Sequence, residues 1–354
     1  MLSQPDSARD LDGADWSRLV RQARTNGLLG QVLNLLAECR NLDTAPDAVK
    51  RLLSAERHLA DHRKRALLWE ADELRRTLAP LGVEPVLIKG GAYIAEGMPH
   101  AHFRHFGDID VLVPPEVLAA VEKRLLTAGW AMSNRDPYDQ YYYRTWMHEL
   151  PPLRHIKRGT HLDLHHTITP RTSRYATYPE KLFAQARQAT SHASLSVLST
   201  EDQFLHGAAH LFSEGEAGNA LRDLFDLRAL LRHIDDLAVL RDRAEELRLQ
   251  SPLALALRHI ERNFPDPSVS KLADAAGRWA HGAQRLDVLY DRVFVIGCER
   301  AETGNPSLGK ATEFVLNCRG HWLRMPVALL ARHLTRKALK QLFSREPSTE
   351  TVRN

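Results

Sequence analysis

The chain has 354 residues, of which 44% are hydrophobic and 26% are charged, a composition typical of a folded globular protein. Its 48 Lys and Arg residues against 44 Asp and Glu residues give a formal net charge of +4, too small an excess to predict nucleic-acid binding from charge alone. No uninterrupted run of about 18 apolar residues occurs, so no membrane span is expected.

The cysteines and the N-terminus bear on the cellular compartment. Cys39, Cys298 and Cys318 have no CxxC spacing, which favours reduced thiols over a disulfide framework or a zinc site. The first residues lack the basic and then apolar pattern of a signal peptide. These features predict a cytoplasmic protein.

Residues 1–80 are predicted to form a helical region. Apolar residues recur at steps of three and four from residue 14 onward, first in WSRLVRQARTNGLLGQVLNLLAEC and then over the longer segment APDAVKRLLSAERHLADHRKRALLWEADELRRTLAPLG. The sequence Pro80-Leu81-Gly82 is expected to end the second helix.

Residues 81–199 have a different pattern, typical of a small α/β core. One helix is predicted over PEVLAAVEKRLLTAGW, and GAYIAEGM could begin another short one. Short apolar segments bounded by turn residues predict strands at VEPVLIKGG, DIDVLV, YYYRTWMHEL, THLDLHHTI and ASLSVLS. We place soft domain boundaries near residues 80 and 200.

Helical periodicity returns over residues 200–345. The segments STEDQFLHGAAHLF, NALRDLFDLRALLRHI, DDLAVLRDRAEELRL and PLALALRHIERNF all show it. The tail 319–345 contains Arg and Lys but no Asp or Glu, and its apolar residues recur at near-helical spacing. Such a basic amphipathic helix could make weak contact with a membrane surface or with nucleic acid, or it could pack on the body with its charged face in water.

Asp108 and Asp110 are the candidate catalytic pair. Residues i and i+2 of a strand face the same side, so the two carboxylates should point together and Ile109 away from them. Two close carboxylates repel each other unless a positive group or water reaches them. Mg²⁺, which prefers oxygen ligands, is an economical counter-charge. Two solvated aspartates beside a turn are the simpler interpretation of this pair alone.

Two neighbouring motifs make the pair more specific. The glycine turn of KGGA, with Gly90 and Gly91, would let backbone N–H groups approach a phosphate. Asp163 in HLDLHH could supply a third carboxylate. The runs LIKGGA, RHFGDIDVLV and LDLHH together resemble the nucleotidyltransferase superfamily that includes DNA polymerase β and the minimal nucleotidyltransferases. Within it, the chain is most similar to a bacterial group of uncharacterised nucleotidyltransferase-like proteins.

The resemblance implies a role for each matching residue. Gly90 and Gly91 would cradle the triphosphate of an NTP. Asp108 and Asp110 would bind Mg²⁺, which Mn²⁺ could replace, and Asp163 would complete a second metal site and help to deprotonate the acceptor. The loop between Gly91 and Asp108 has 16 residues and is longer than is usual in the superfamily, which leaves the preferred nucleotide open.

Two cations near these motifs are further candidates. Lys89 ends the first apolar strand, where it could contact a phosphate or reach water. Arg104 could bind a phosphate through its planar guanidinium or lie on the surface of a polar loop.

The fold class expected is therefore α+β: a small mixed β-sheet nucleotidyltransferase core, flanked by N- and C-terminal helical regions. The expected function is Mg²⁺-dependent transfer of a nucleoside monophosphate to an acceptor, which could be protein, RNA or a small molecule. A non-catalytic nucleotide-binding or interaction protein of the same fold is one alternative. A metal-dependent phosphohydrolase is the other, since His161, Asp163 and His165 alternate on one strand face.

Overall fold

The computed structural model describes residues 5–133, 136–213, 218–264 and 306–343, without the side chains of 306–311 and 337–343. Within these ranges the helices are α1 (Gly13–Thr25), α2 (Leu29–Glu38), α3 (Asp47–Leu78), α4 (Lys89–Ala95), α5 (Leu118–Thr127), α6 (Pro137–Trp146), α7 (Pro179–Phe183), α8 (Thr200–Ser213), α9 (Ala220–Leu231), α10 (Leu237–Glu246), α11 (Gln250–Asn263), α12 (Pro306–Arg324) and α13 (Val327–Phe343). The strands are β1 (Val86–Leu87), β2 (Asp108–Leu112), β3 (Trp130–Met132), β4 (Leu153–His155), β5 (His161–His165), β6 (Arg187–Gln188) and β7 (Ser196–Val197).

The strands form a single mixed sheet in the order β3-β4-β5-β2-β1-β7-β6. The central strand β2 is parallel to one neighbour, β5, and antiparallel to the other, β1. Helical segments precede and follow the sheet in the chain. The fold is therefore α+β with a mixed sheet and flanking helices, as the sequence predicted.

The N-terminal helices have an apolar core of their own. Trp16 and Leu33 are buried in it, together with Leu53 from the first half of α3. The second half of α3, including Leu74, packs instead into the larger core that contains the sheet. The long helix α3 therefore belongs to both cores, because its apolar stripe continues over 32 residues.

A change of element type lies near each proposed domain boundary. Helix α3 ends at Leu78, and a left-handed Gly82 with φ of 65° follows a short turn. Helix α8 begins at Thr200. The division of the chain at residues 80 and 200 stays a prediction.

One of the predicted strands is wrong. YYYRTWMHEL begins inside α6, which covers Pro137–Trp146 and starts with a strong local signal. The Asp136 side chain accepts hydrogen bonds from the backbone N–H groups of Tyr138 and Asp139, and Pro137 occupies the first turn. This cap outweighs the strand preference of the aromatic residues.

The C-terminal helices pack on the body through several contacts. Thr172 donates a hydrogen bond to the backbone carbonyl of Arg324, and the Arg174 guanidinium lies 3.9 Å from the ring centre of Trp322. Tyr138 on α6 contacts His333 on α13. Among the residues that the structure describes, no helix is both long enough and apolar enough to cross a membrane.

Candidate functional site

The three predicted catalytic aspartates lie on neighbouring central strands. In the parallel pairing of β2 with β5, Asp110 lies beside Asp163, and Asp108 lies one step earlier on the same face of β2. Ile109 points the other way and is buried. Asp108 is exposed at the start of the strand, Asp163 is half-buried and Asp110 is buried. The sheet thus brings Asp163 beside two carboxylates that lie 55 and 53 residues before it in the chain.

Lys89 supplies the positive charge beside the buried Asp110. It follows β1 directly, and its Nζ donates to Asp110 Oδ1 at 2.7 Å. Burial acts to raise the pKa of Asp110, but the Lys89 ammonium and a hydrogen bond from His165 hold it below its ordinary value. Asp110 is therefore an anion at neutral pH.

Lys89 adopts an uncommon backbone conformation. Its φ is +52°, in the left-handed region that side chains with a Cβ rarely enter. The backbone here turns sharply from β1 into α4, which starts at Lys89 itself. This turn aims the ammonium back at β2.

Asp163 is hydrogen-bonded to Asp108, which requires one shared proton. Burial, followed by the charges of Asp110 and Asp108, raises the pKa of Asp163 to about 7. Asp163 is therefore the carboxyl that holds the proton, and it donates to Asp108. A group with this pKa exchanges its proton readily near neutral pH.

The carboxylates suit a hard divalent cation. All three are oxygen donors, and three carboxyls face one lysine. The proton shared between Asp108 and Asp163 relieves the repulsion between these two carboxylates. A divalent ion could replace that proton, so the residues present fit Mg²⁺ or Mn²⁺.

The two predicted phosphate-binding glycines differ in what surrounds them. A Cβ on Gly90 would lie 2.1 Å from the ring of Phe106, so packing alone requires glycine there. A Cβ on Gly91 would meet Leu87 at an ordinary 3.6 Å. Both glycines are buried within α4, directly after Lys89.

Arg104 does not lie in an exposed loop. It is partly buried, with one Nη bonded to Asp226 and the other 3.7 Å from Asp223, both on α9. Its guanidinium is thus turned toward carboxylates, with its centre 5.6 Å from the ring centre of Tyr93. The phosphate role of Arg104 stays a prediction.

A cluster of histidines with one glutamate lies directly behind Asp110. His165 at the end of β5 donates its Nε2–H to Asp110 Oδ1 at 3.0 Å. The same Nε2 lies 3.4 Å from Glu149 Oε2, and His148 Nε2 lies 3.8 Å from that oxygen. Backbone pairing of 148–150 with the end of β5 brings these residues together, through Leu150 N to Leu164 O at 2.9 Å.

His148 and Glu149 were missed by sequence reasoning. They fall within YYYRTWMHEL, where a strand was predicted, and neither belongs to a spaced metal-binding motif. Their position depends on a β-bridge between Glu149 and His165, which no local pattern reveals. A His-Glu pair just before a proline turn is the only sequence signal.

Other histidines of the chain lie at different depths. His206 on α8 is almost fully buried, and its ring lies 6.4 Å from that of His210. His161 is exposed at the start of β5. The alternating set of His161, Asp163 and His165 therefore shares a strand face but runs from solvent into the core.

A groove of about 520 Å³ borders the start of β2 at Asp108. It lies between α3 and the sheet. Trp69, which is 51% exposed, and Arg63 supply an aromatic surface and a positive charge. Arg158 lines it as well, and its guanidinium is bonded to the buried Glu70.

A search of curated proteins found no match to this chain. A family model described as an uncharacterised nucleotidyltransferase matches residues 12–265, which include the aspartates, Lys89 and the histidine cluster. This match covers more than half of the sequence and contains the whole sheet and helices α1 to α11. The chain therefore belongs to the uncharacterised nucleotidyltransferase family.

Proposed function

We propose that this protein is a divalent-cation-dependent nucleotidyltransferase, which moves a nucleoside monophosphate from an NTP to an acceptor hydroxyl. The acceptor oxygen forms a bond to the α-phosphorus, the bond from that phosphorus to the β-phosphate oxygen breaks, and pyrophosphate leaves. The observation that carries the proposal is the register of β2 with β5, which places Asp108, Asp110 and Asp163 on one face of the sheet. Membership of the family supports the same reaction class.

In this proposal the three aspartates hold Mg²⁺ or Mn²⁺, which supplies positive charge to the triphosphate and to the entering and leaving oxygens. Asp110 keeps its charge at neutral pH because Lys89 and His165 stabilise the carboxylate. Asp163 would be ionised once the cation replaces its proton, and its carboxylate would help to deprotonate the acceptor hydroxyl. Lys89 lies beside Gly90 and Gly91, where its ammonium can attract the phosphates.

Calorimetric titration of each NTP in the presence of Mg²⁺ tests the proposal. The parent should bind at least one NTP only with Mg²⁺, and binding should fall at least ~100-fold in the double variant Asp108→Asn/Asp163→Asn. Asp242→Asn is the matched control, since Asp242 is an exposed aspartate on α10 that pairs with its neighbour Arg241. Absence of NTP binding in a folded parent contradicts the proposal.

Incubation with α-labelled NTP and candidate acceptors then separates the rival functions. Pyrophosphate release with label on an RNA, protein or small-molecule acceptor supports transfer. Release of inorganic phosphate without labelled acceptor favours the metal-dependent phosphohydrolase. Nucleotide binding without either product would favour the non-catalytic interpretation.

A further inference from the structure

The cluster behind Asp110 has the donor set of a transition-metal site. Among the residues that the structure describes, His148, Glu149 and His165 each place a ligand atom within 4.8 Å of the ligand atoms of the other two. Two imidazoles and one carboxylate suit zinc and similar divalent transition metals better than Mg²⁺. The donors therefore differ in kind from the three aspartates of the proposed catalytic site.

The distances within the cluster match ligands around a common ion better than direct hydrogen bonds. Glu149 Oε2 lies 3.4 Å from His165 Nε2 and 3.8 Å from His148 Nε2, longer than good hydrogen bonds between such groups. Ligands of a tetrahedral zinc, at bonds of about 2.0 to 2.1 Å, lie about 3.3 to 3.4 Å apart. Glu149 is already near that separation from one ring.

The state of the two imidazoles also suits a metal. Both imidazoles are buried, so a metal bound between them would be shielded from water. The Nδ1 atom of each ring is buried, whereas the Nε2 atoms face Glu149 Oε2. The rings are fixed by backbone pairing of 148–150 with β5.

Asp110 lies at the edge of this cluster. Its Oδ1 is 3.0 Å from His165 Nε2, so a metal on that nitrogen would replace the hydrogen bond and find a fourth oxygen nearby. Lys89 donates to the same oxygen, so its ammonium would share Asp110 with the ion. The cluster is thus complete within one protein chain.

We propose that His148, Glu149 and His165 form a binding site for a zinc-like divalent transition metal, which borders the Mg²⁺ site of the three aspartates at Asp110. The ion would link the 148–150 segment to the end of β5 and stabilise the strand that carries Asp163. Site occupancy does not depend on the protein being a nucleotidyltransferase, because no nucleotide takes part in it.

Cobalt titration of the chelator-stripped, full-length protein tests this site. Co²⁺ in a tetrahedral set of nitrogen and oxygen ligands absorbs visible light, so the spectrum reports binding without any enzymatic activity. The parent should bind one equivalent of Co²⁺ with visible bands that added Zn²⁺ abolishes. His148→Gln/Glu149→Gln should weaken Co²⁺ binding by at least ~100-fold, since two of three protein ligands are lost.

Two variants serve as controls. His259→Gln removes another buried histidine, on α11 against Phe212, and should bind Co²⁺ like the parent. Asp108→Asn/Asp163→Asn removes carboxylates of the proposed Mg²⁺ site and should also keep the visible bands. If circular dichroism shows that the double variant at 148 and 149 is unfolded, the single isosteric change Glu149→Gln replaces it.

Three results would overturn the inference. The first is a folded parent that shows no visible bands with Co²⁺. The second is bands that persist unchanged in the folded variants at 148 and 149. The third is bands that disappear in Asp108→Asn/Asp163→Asn but not in the variants at 148 and 149, which would assign the metal to the aspartates.

Discussion

Asp110 is a buried carboxylate that remains charged because two different groups stabilise it. Lys89 provides a full positive charge at 2.7 Å, and His165 donates a hydrogen bond at 3.0 Å. A buried anion without such partners would be strongly destabilising. The expectation that something positive must lie near the aspartate pair is met in the structure by Lys89 itself.

Replacement of Lys89 should separate the effect of its charge from that of its backbone. Lys89→Met and Lys89→Gly should each lower the free energy of unfolding by about 3 kcal/mol or more, because Asp110 loses its buried ion-pair partner. Lys89→Gly should be less destabilised than Lys89→Met by about 1 kcal/mol, since glycine adopts the φ of +52° without strain. Urea unfolding measures both. Equal stabilities would show that the left-handed turn stores no strain.

The raised pKa of Asp163 predicts a dependence of stability on pH. In the folded protein this pKa is about 7, against an ordinary value of 3.8, so the folded state retains a proton that the unfolded chain has lost. The contribution of Asp163 to the free energy of unfolding should therefore decrease as pH rises from about 4 through about 7 and level off above that. Urea unfolding in chelator, from pH 5 to 8, should show this decrease in the parent.

Asp163→Asn should remove that part of the pH dependence. The free energy of unfolding of the variant relative to that of the parent should therefore increase up to pH 7. Asp242→Asn, on the surface of α10, should follow the parent at each pH. Mg²⁺ should stabilise the parent more at pH 8 than at pH 6, because it binds ionised carboxylates. Parallel pH profiles for Asp163→Asn and the parent would argue against a raised pKa.

The residues that sequence reasoning found and missed differ in how local their signals are. Asp108 and Asp110 stand two apart in an apolar run, so strand periodicity alone predicts their common face. His148 and Glu149 join the cluster only through a bridge to β5. Arg104 was predicted as a phosphate or surface arginine, and its pairing with Asp226 spans 122 residues of sequence. Long-range pairing of this kind leaves no trace in a single sequence.

At the scale of elements, most of the helices and the two central strands were accessible from periodicity. The error at α6 arose because Tyr141, Tyr142 and Tyr143 have high strand preference, while the Asp136 cap and Pro137 specify a helix start. The short strands β3, β4 and β6 were not predicted, since two or three residues carry no periodicity. Their pairing partners, not their own sequences, define them.

Helix α3 is fixed to the sheet by an ion pair that borders the groove beside Asp108. Glu70 on α3 is 4% exposed and accepts hydrogen bonds from Nη2 and Nε of Arg158, with the single Nε hydrogen shared between both carboxylate oxygens at 2.9 and 3.0 Å, and one from Thr160. Glu70→Ala should lower the free energy of unfolding by about 2 kcal/mol, because Arg158 and Thr160 lose their acceptor.

The matched control for this prediction is Glu73→Ala on the same helix. Glu73 pairs with Arg76 at the surface, and its loss should cost less than about 1 kcal/mol. Urea unfolding compares the two variants. If Glu70→Ala costs no more than the control, the ion pair does not stabilise the docking of α3.

At the scale of the whole molecule, two apolar cores are joined by α3 and α9. Leu221 and Phe225 on α9 contact both the N-terminal core and the core that contains the sheet. The Arg104 ion pair with Asp226 adds a polar connection from the loop before β2 to the same helix. The N-terminal core is therefore connected through α9 to the loop that leads to Asp108.

The basic tail packs on the body within its described part. Residues 344 and 345 of the predicted segment 319–345 lie outside the described residues. His333 is 2% exposed, and its Nδ1 is hydrogen-bonded to the Tyr138 hydroxyl at 2.8 Å. Its ring centre lies 4.5 Å from that of Tyr142. Contact of this tail with a membrane or nucleic acid stays a prediction.

His333→Ala tests whether α13 is held to α6 in solution. Loss of the hydrogen bond and ring contacts should lower the free energy of unfolding by about 1 to 3 kcal/mol and release α13 locally. Hydrogen exchange followed by mass spectrometry should then show faster exchange over 327–336 than in the parent. Thr335→Ala is the control, because Thr335 is exposed and its hydroxyl donates to the Ala331 carbonyl of its own helix. Exchange that is equally fast in the parent would mean that α13 is detached in solution and its basic face is free to bind elsewhere.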